Sequence, residues 1–181
     1  MKFVSLLLLA APVLLSGCAI GPTPQNAQEY REAVTKGGYG TKAETYEVKG
    51  SYAQVAATVK AKSAECFNRT LTTQECRSSN NATSCTNRSF TFIPRFTGNG
   101  SSSELAVLVT MNHGNVKNVY LGGPPPEDGM YVAVADLAPA GAGTKVSVYS
   151  TTVGFYAHIP KAIKHWTSGT NLGCPDFAAD L

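Results

Sequence analysis

Residues 130–137 read Met-Tyr-Val-Ala-Val-Ala-Asp-Leu. In an extended chain this run is apolar on both faces, apart from Asp136, which is typical of a strand buried between two neighbours. Gly129 precedes it, and Ala140-Gly141-Ala142-Gly143 turns the chain into a further strand over 144–153. The stretch therefore predicts the central strand of a sheet.

Alternating segments lie upstream of this central strand. Residues 105–111 place their large apolar side chains on one face, and His113-Gly114 predicts a tight turn into a strand over 116–121. Phenylalanines alternate over 90–96, where Pro94 indicates an edge strand or a bulge. A period of two over successive segments indicates an antiparallel sheet.

Two one-sided helices are predicted, one before these strands and one after them. Ser51 and Gln54 fit a capping box that opens the first helix, whose apolar stripe ends at Cys66 and Phe67. The second begins near Pro160, ends at Gly169, and has the apolar stripe Ile159, Ala162, Ile163 and Trp166. Each helix needs an apolar surface to cover.

This order of elements predicts a two-layer α+β fold. We expect an antiparallel meander sheet of about five to six strands, with a short first strand over 45–48 and two helices packed on one face. That layout resembles the helix-grip arrangement of some periplasmic lipoprotein domains, and a fold does not by itself fix a function.

The N-terminus predicts export. Lys2 is followed by an uncharged run from Phe3 to Leu15, which is shorter than the ~20 apolar residues that span a bilayer. It is therefore interpreted as a signal segment. Leu14-Leu15-Ser16-Gly17-Cys18 resembles the lipobox of bacterial lipoproteins, and an ordinary secretory signal that leaves Cys18 as a free thiol is the alternative.

The lipobox resemblance implies a specific modification. Cleavage would follow Gly17, and Cys18 would carry a diacylglycerol and an N-acyl chain such as palmitate, which anchors the protein without a spanning helix. Ala19 after the cysteine favours the outer membrane, so we expect the domain to face the periplasm there. The predicted divisions are a signal peptide over 1–17, a lipidated flexible tether over 18–43 reaching at most ~80 Å, and a single domain over 44–181. Within the tether, residues 26–34 could form a short helix.

The cysteine count fits an exported chain. Of five cysteines, four remain once Cys18 is assigned to lipid, an even number for an oxidising compartment. Residues 70–87 are polar and without periodicity, which predicts a loop closed by a disulfide. We favour the pairs Cys76–Cys85 and Cys66–Cys174 among the three pairings. A zinc site is disfavoured because no C-x-x-C pair occurs.

The mature region is also similar to small uncharacterised lipoproteins of Gram-negative bacteria. The residues that carry the similarity are structural, namely Tyr52, Val55, Ala56, Glu65, Cys66, Tyr131, Asp136, Trp166, Gly173, Cys174 and Pro175. The resemblance implies no activity.

Candidate chemistry is sparse. His113 is explained by a turn, and His158 and His165 are two helical turns apart, roughly 10 Å, so one ion held with Asp176 could not bridge them. Asp136 is either an acid/base group in a cleft or a carboxylate that holds a strand end through backbone N–H groups. We expect no cofactor and no metal.

These observations give three hypotheses. The first is a non-enzymatic interaction or structural module of the envelope, which binds envelope proteins through the loop 70–87 or the proline loop 122–129. The second is a carrier of a small ligand or lipid between the sheet and the long helix, where Ala53, Ala56, Ala57 and Ala64 are small. The third is a hydrolase. The net charge of +3 is too small to indicate nucleic-acid binding.

Overall fold

The computed structural model describes residues 22–38, 40–79, 82–113, 116–117 and 123–177. The predicted signal peptide, the lipobox and Cys18 lie outside these ranges. The described elements, in chain order, are α1 (Ala27–Thr35), β1 (Thr41–Val48), α2 (Tyr52–Phe67), β2 (Arg69–Ser79), β3 (Ala82–Gly98), β4 (Ser103–His113), β5 (Val116–Lys117), β6 (Met130–Ala140), β7 (Gly143–Thr151) and α3 (His158–Ser168).

All the strands form one antiparallel sheet, so the α+β prediction is confirmed. The order is β1-β7-β6-β4-β3-β2, and the short β5 pairs with the end of β4. β6 lies between β4 and β7, as its apolar character predicts. Six strands form this order, which agrees with the expected five to six, and the two-residue β5 is a seventh among the described residues; β1 joins beside β7. Because β1 and β2 lie at opposite edges, α2 links one edge of the sheet to the other.

The main core lies between one face of the sheet and helices α2 and α3. Val59 and Phe67 from α2 and Ile163 from α3 are fully buried there, and Trp166 is 2 % exposed. They pack against alternate residues of the strands, including Leu105, Val107 and Val109 of β4, Ala135 and Leu137 of β6, and Val146 of β7. α3 ends as predicted, at Gly169, whose φ of 69° suits glycine.

Helices α2 and α3 cover one face as expected, and α1 covers the opposite face, so a third helix and a third layer are added to the predicted two-layer arrangement. Tyr30 and Val34 of α1 are buried against Ala106, Leu108 and Val134. The short helix that the sequence allows over 26–34 is present, but it is packed on the sheet and is not part of a flexible tether. A nine-residue helix with two buried side chains gives little apolar periodicity, so its packing is not visible in the sequence.

Residues 70–87 are not the predicted loop but most of a long β-hairpin. β2 pairs with β3 from Arg69–Phe92 to Ser79–Ala82. The distal part of the hairpin is solvated on both faces, so polar residues occupy both faces and no period of two appears. Only the Thr-rich composition favours a strand there.

The edge-strand prediction for Pro94 is confirmed, and the capping-box prediction for Ser51 and Gln54 is wrong. Pro94 lies where β3 is an edge strand, because β2 begins opposite Phe92 and leaves residues 93–98 unpaired on that side. The capping box is not formed as expected, because the Ser51 hydroxyl donates to Gln54 Oε1 (2.9 Å) and makes no side-chain bond to the backbone.

Candidate functional site

A groove of about 450 Å3 runs between α3 and the sheet edge formed by β1 and β7. Its apolar lining comes from Tyr46, Val148, Ala157 and Pro160, the last two at the start of α3. The remaining lining residues are polar, namely Lys42, Glu44, Ser150, Thr152, Lys161 and Lys164. Lys164 of α3 reaches Glu44 of β1 across this groove.

The rim of this groove is cationic. Lys164 Nζ lies 2.5 Å and Lys42 Nζ 3.1 Å from different oxygens of Glu44. Hydrogen bonds from Lys164 and then Lys42 lower the pKa of Glu44, which is therefore ionised at neutral pH. Three lysines face one carboxylate around the groove, so the rim carries an excess of positive charge.

Two groups in the groove have no partner among the described residues. Lys161 is exposed and makes no ion pair there. Ser150 is 2 % exposed, yet its hydroxyl has no hydrogen bond. No buried side-chain oxygen of the described part is both unpaired and shut off from solvent, so the Ser150 hydroxyl keeps some access to solvent, and Ser150 lines the groove.

The predicted carrier site lies between the sheet and α2, where buried apolar side chains of α2 pack in the described structure. Val55, Val59 and Phe67 pack against the sheet, whereas Ala53, Ala57 and Ala64 are exposed. A second depression of about 410 Å3 lies beside the start of α2 and the end of α3. The small residues of α2 therefore do not line an unfilled groove.

Asp136 is held by an arginine that sequence reasoning did not pair with it. Arg31 of α1 donates from Nε to Oδ2 (2.8 Å) and from a terminal nitrogen to Oδ1 (2.5 Å) of Asp136. Arg31 also pairs with Glu104, the residue opposite Asp136 on β4. These contacts, first those with Asp136, raise the pKa of Arg31 above its usual value. Neither alternative considered from the sequence named this ion pair.

Two of the three histidines have described contacts with residues that follow the end of α3. His165 Nδ1 lies 2.9 Å from the Thr170 hydroxyl, and His158 packs edge-on against Phe177. The side chain of His113 lies outside the described residues. Glu65 lies beside Cys66 and Cys174, but both sulfurs are bonded to each other and offer no thiolate to a metal.

The structure contains two disulfides, Cys66–Cys174 and Cys76–Cys85. The first joins the end of α2 to the segment after α3, and it places Phe177 against Phe67 and Phe92. The second joins directly opposed residues of β2 and β3. These are the two pairs that the sequence favours.

The second disulfide lies in a projecting part of the hairpin, which we call the arm (residues 74–79 and 82–87). β4 ends at His113 opposite Arg88, so six further residue pairs of β2 and β3 extend past the last described residue of β4. At ~3.4 Å per residue the arm is about 20 Å long. Among the described residues no third strand pairs with the arm. A two-stranded ribbon by itself is marginally stable in water, and the disulfide joins the two strands covalently.

The proline loop is in contact with the chain that enters the domain. The Thr23 hydroxyl donates to the Gly123 carbonyl (3.0 Å), and Gln25 Nε2 donates to the Pro124 carbonyl (3.0 Å). Asp128 pairs with Arg95 at 2.5 Å. The loop therefore binds the segment that precedes α1.

Comparisons with known protein families, with curated proteins and with solved structures found no match. In the described part of the chain, no helix is both long enough and apolar enough to cross a membrane. The resemblance to bacterial lipoproteins thus stays a prediction from residues 14–18.

Proposed function

We propose that this protein is an outer-membrane lipoprotein, anchored through Cys18, whose periplasmic domain binds an envelope partner and catalyses no reaction. The observation that carries the binding role is the arm. A ribbon that extends past the described end of β4 contributes little to the core, and a disulfide across it reduces the ordering cost of binding.

The surface of the arm is polar and charged, which suits a protein partner better than an apolar ligand. Glu75 lies 2.7 Å from Arg77 and 2.6 Å from Arg88. Hydroxyl groups pair across the strands, as between Ser78 and Thr83 (3.0 Å). Interfaces of this kind obtain specificity from polar complementarity around a rigid frame.

The non-enzymatic part of the proposal is supported by how the reactive groups are used. Four cysteines form disulfides, and Asp136 is engaged by Arg31. An acid/base role for Asp136 would require a carboxyl group free to reach a substrate.

Site-specific photo-crosslinking in cells tests the arm. A photoreactive residue at Ser84, on the arm, should give discrete adducts, whereas one at Ala142, in the β6–β7 turn, should not. Replacing both Cys76 and Cys85 with serine should weaken the Ser84 adducts. Equal adducts from both positions would contradict a role for the arm.

The anchor is tested separately by intact-mass analysis of the membrane fraction. A triacylated chain that begins at Cys18 is expected, and Cys18→Ser should release the protein into the periplasm. A soluble product with an unmodified N-terminus would contradict the anchor without bearing on the arm.

The groove beside α3 favours a second candidate function, that of a small-ligand carrier. Its volume of about 450 Å3 lies in the range of small-molecule sites, ~300–1,000 Å3. This groove lies beside α3, whereas the sequence suggests a carrier site beneath α2.

A further inference from the structure

We propose that the groove between α3 and the β1–β7 edge binds an anionic amphiphile, namely a carboxylate with one medium-length aliphatic chain. This inference rests on the second candidate function, the small-ligand carrier. It is independent of both the lipid anchor and the arm.

The shape and lining of the groove suit one aliphatic chain. Tyr46 and Val148 lie on the sheet side, Ala157 and Pro160 lie on the helix side, and the methylene stems of the lining lysines add apolar surface. About 450 Å3 accommodates a single chain and not a two-chain phospholipid.

The charge of the rim selects the head group. Glu44 engages Lys42 and Lys164 and leaves Lys161 without an ion-pair partner among the described residues. An incoming carboxylate would pair with Lys161 and be repelled only by Glu44, which is already neutralised by two lysines. A cationic head group would meet an excess of like charge.

The Ser150 hydroxyl supplies the second recognition element. It lies on the same groove, on a residue that is 2 % exposed, and has no partner in the described structure. A hydroxyl that opens into a groove without a protein acceptor or donor can donate to a ligand carboxylate, and such bonds to a charged acceptor are the stronger kind.

Calorimetric titration of the exported chain carrying Cys18→Ser tests the inference without attached lipid or detergent. Decanoate should bind saturably with one site, whereas acetate and decyltrimethylammonium should bind much more weakly. Lys161→Gln should weaken decanoate binding by about fivefold, the size expected for one exposed charge pair. Ser150→Ala should weaken it by a similar factor.

Lys145→Gln is the matched control, because Lys145 is an exposed lysine of β7 that does not line the groove. It should leave the affinity unchanged. Equal binding of the cationic amphiphile, equal binding of acetate, an absence of saturable decanoate binding, or decanoate binding that neither groove variant alters would each overturn the proposal. None of these results would bear on Ser84 cross-linking or on lipidation at Cys18.

Discussion

Arg31 of α1 and Asp136 of β6 form a two-point ion pair across 105 positions of the chain, with N–O distances of 2.8 and 2.5 Å. The pair fixes the rotation of α1 on the sheet face that α2 and α3 leave open. The Arg31 side chain is 17 % exposed and that of Asp136 is 37 % exposed, so the contact is partly shielded from water. Asp136, the one charged residue of β6, thus binds α1 to the sheet.

Asp136→Asn should therefore destabilise the domain by about 1 kcal/mol, a value reduced for the partial exposure of the pair. Urea denaturation of this variant, of Arg31→Met and of the double variant forms a thermodynamic cycle. The coupling energy should be clearly different from zero, and the matched change Glu47→Gln, at an exposed residue of β1, should have little effect. Strict additivity of the two changes would contradict the assigned ion pair.

Tyr30 makes the other specific contact of α1, and it predicts a response to alkaline pH. Its hydroxyl donates to the Val132 carbonyl (2.8 Å). Val132 has no pairing partner on β4, because the register between β4 and β6 shifts by one residue at that point. Burial raises the pKa of Tyr30 well above its usual value of 10.0. Tyr30→Phe should cost about 1–2 kcal/mol at neutral pH, because it leaves that carbonyl unpaired.

The sign of the pH effect follows from the raised pKa. Above pH 10 the phenol ionises in the unfolded chain but not in the folded one, so the wild-type protein loses stability as pH rises. The stability gap between wild type and Tyr30→Phe should therefore narrow above pH 10 and stay constant between pH 7 and 9. Denaturant melts across this range measure it, and a gap independent of pH up to 11 would refute the assignment.

The sequence predicts elements whose apolar residues repeat, and it fails where polar contacts or solvent on both faces determine the structure. Residues 130–137, 105–111 and 159–166 form the predicted strands and helix because their periodicity reflects burial on the core side. α1 docks through Tyr30 and Arg31, whose partners are far away in the chain. A local sequence pattern cannot predict a contact between residues more than 100 positions apart.

The groove beside α3 could not be predicted from the sequence for the same reason. Lys42, Glu44, Ser150 and Lys161 come from three elements, and none belongs to a motif. Their proximity follows from β1 pairing with β7 rather than with a neighbour in sequence. The sequence predicts a loop for the arm because the strands of the arm have no apolar face. The favoured cysteine pairs are the ones that the structure contains.

The two disulfides should differ in their effect on stability. Cys66–Cys174 spans 108 positions and Cys76–Cys85 spans 9, so the chain-entropy contribution is about 4–5 kcal/mol for the first and about 2–3 kcal/mol for the second. Replacing the first pair with alanine should also release Phe177 from the core. Thermal unfolding of both double variants compares them, and a larger loss for the arm pair would contradict this account.

The contact between the N-terminal segment and the proline loop predicts how an anchored domain faces the membrane. Asn26, the N-cap residue of α1, follows Cys18 by only eight residues, a distance of at most about 30 Å when extended. Thr23 and Gln25 bind the loop at Gly123 and Pro124. If Cys18 carries lipid, the proline loop must be held near the bilayer, and the ~80 Å reach expected for a long tether is not available.

A fluorophore attached at position 127 or 142 of the lipidated protein in vesicles tests this orientation. Glu127 lies in the proline loop, and Ala142 lies in the turn at the other end of β6, which at ~3.4 Å per residue is about 35 Å away. Nitroxide-labelled head groups should quench the label at 127 more strongly than the label at 142. Because both positions are exposed, accessibility does not explain a difference. Pro124→Gly combined with Gln25→Ala should reduce that difference, since it loosens the loop and removes the donor to residue 124. Equal quenching at both positions in the parent protein would show that the domain has no preferred orientation on its anchor. That result would contradict the prediction that the contacts of Thr23 and Gln25 hold the proline loop near the bilayer.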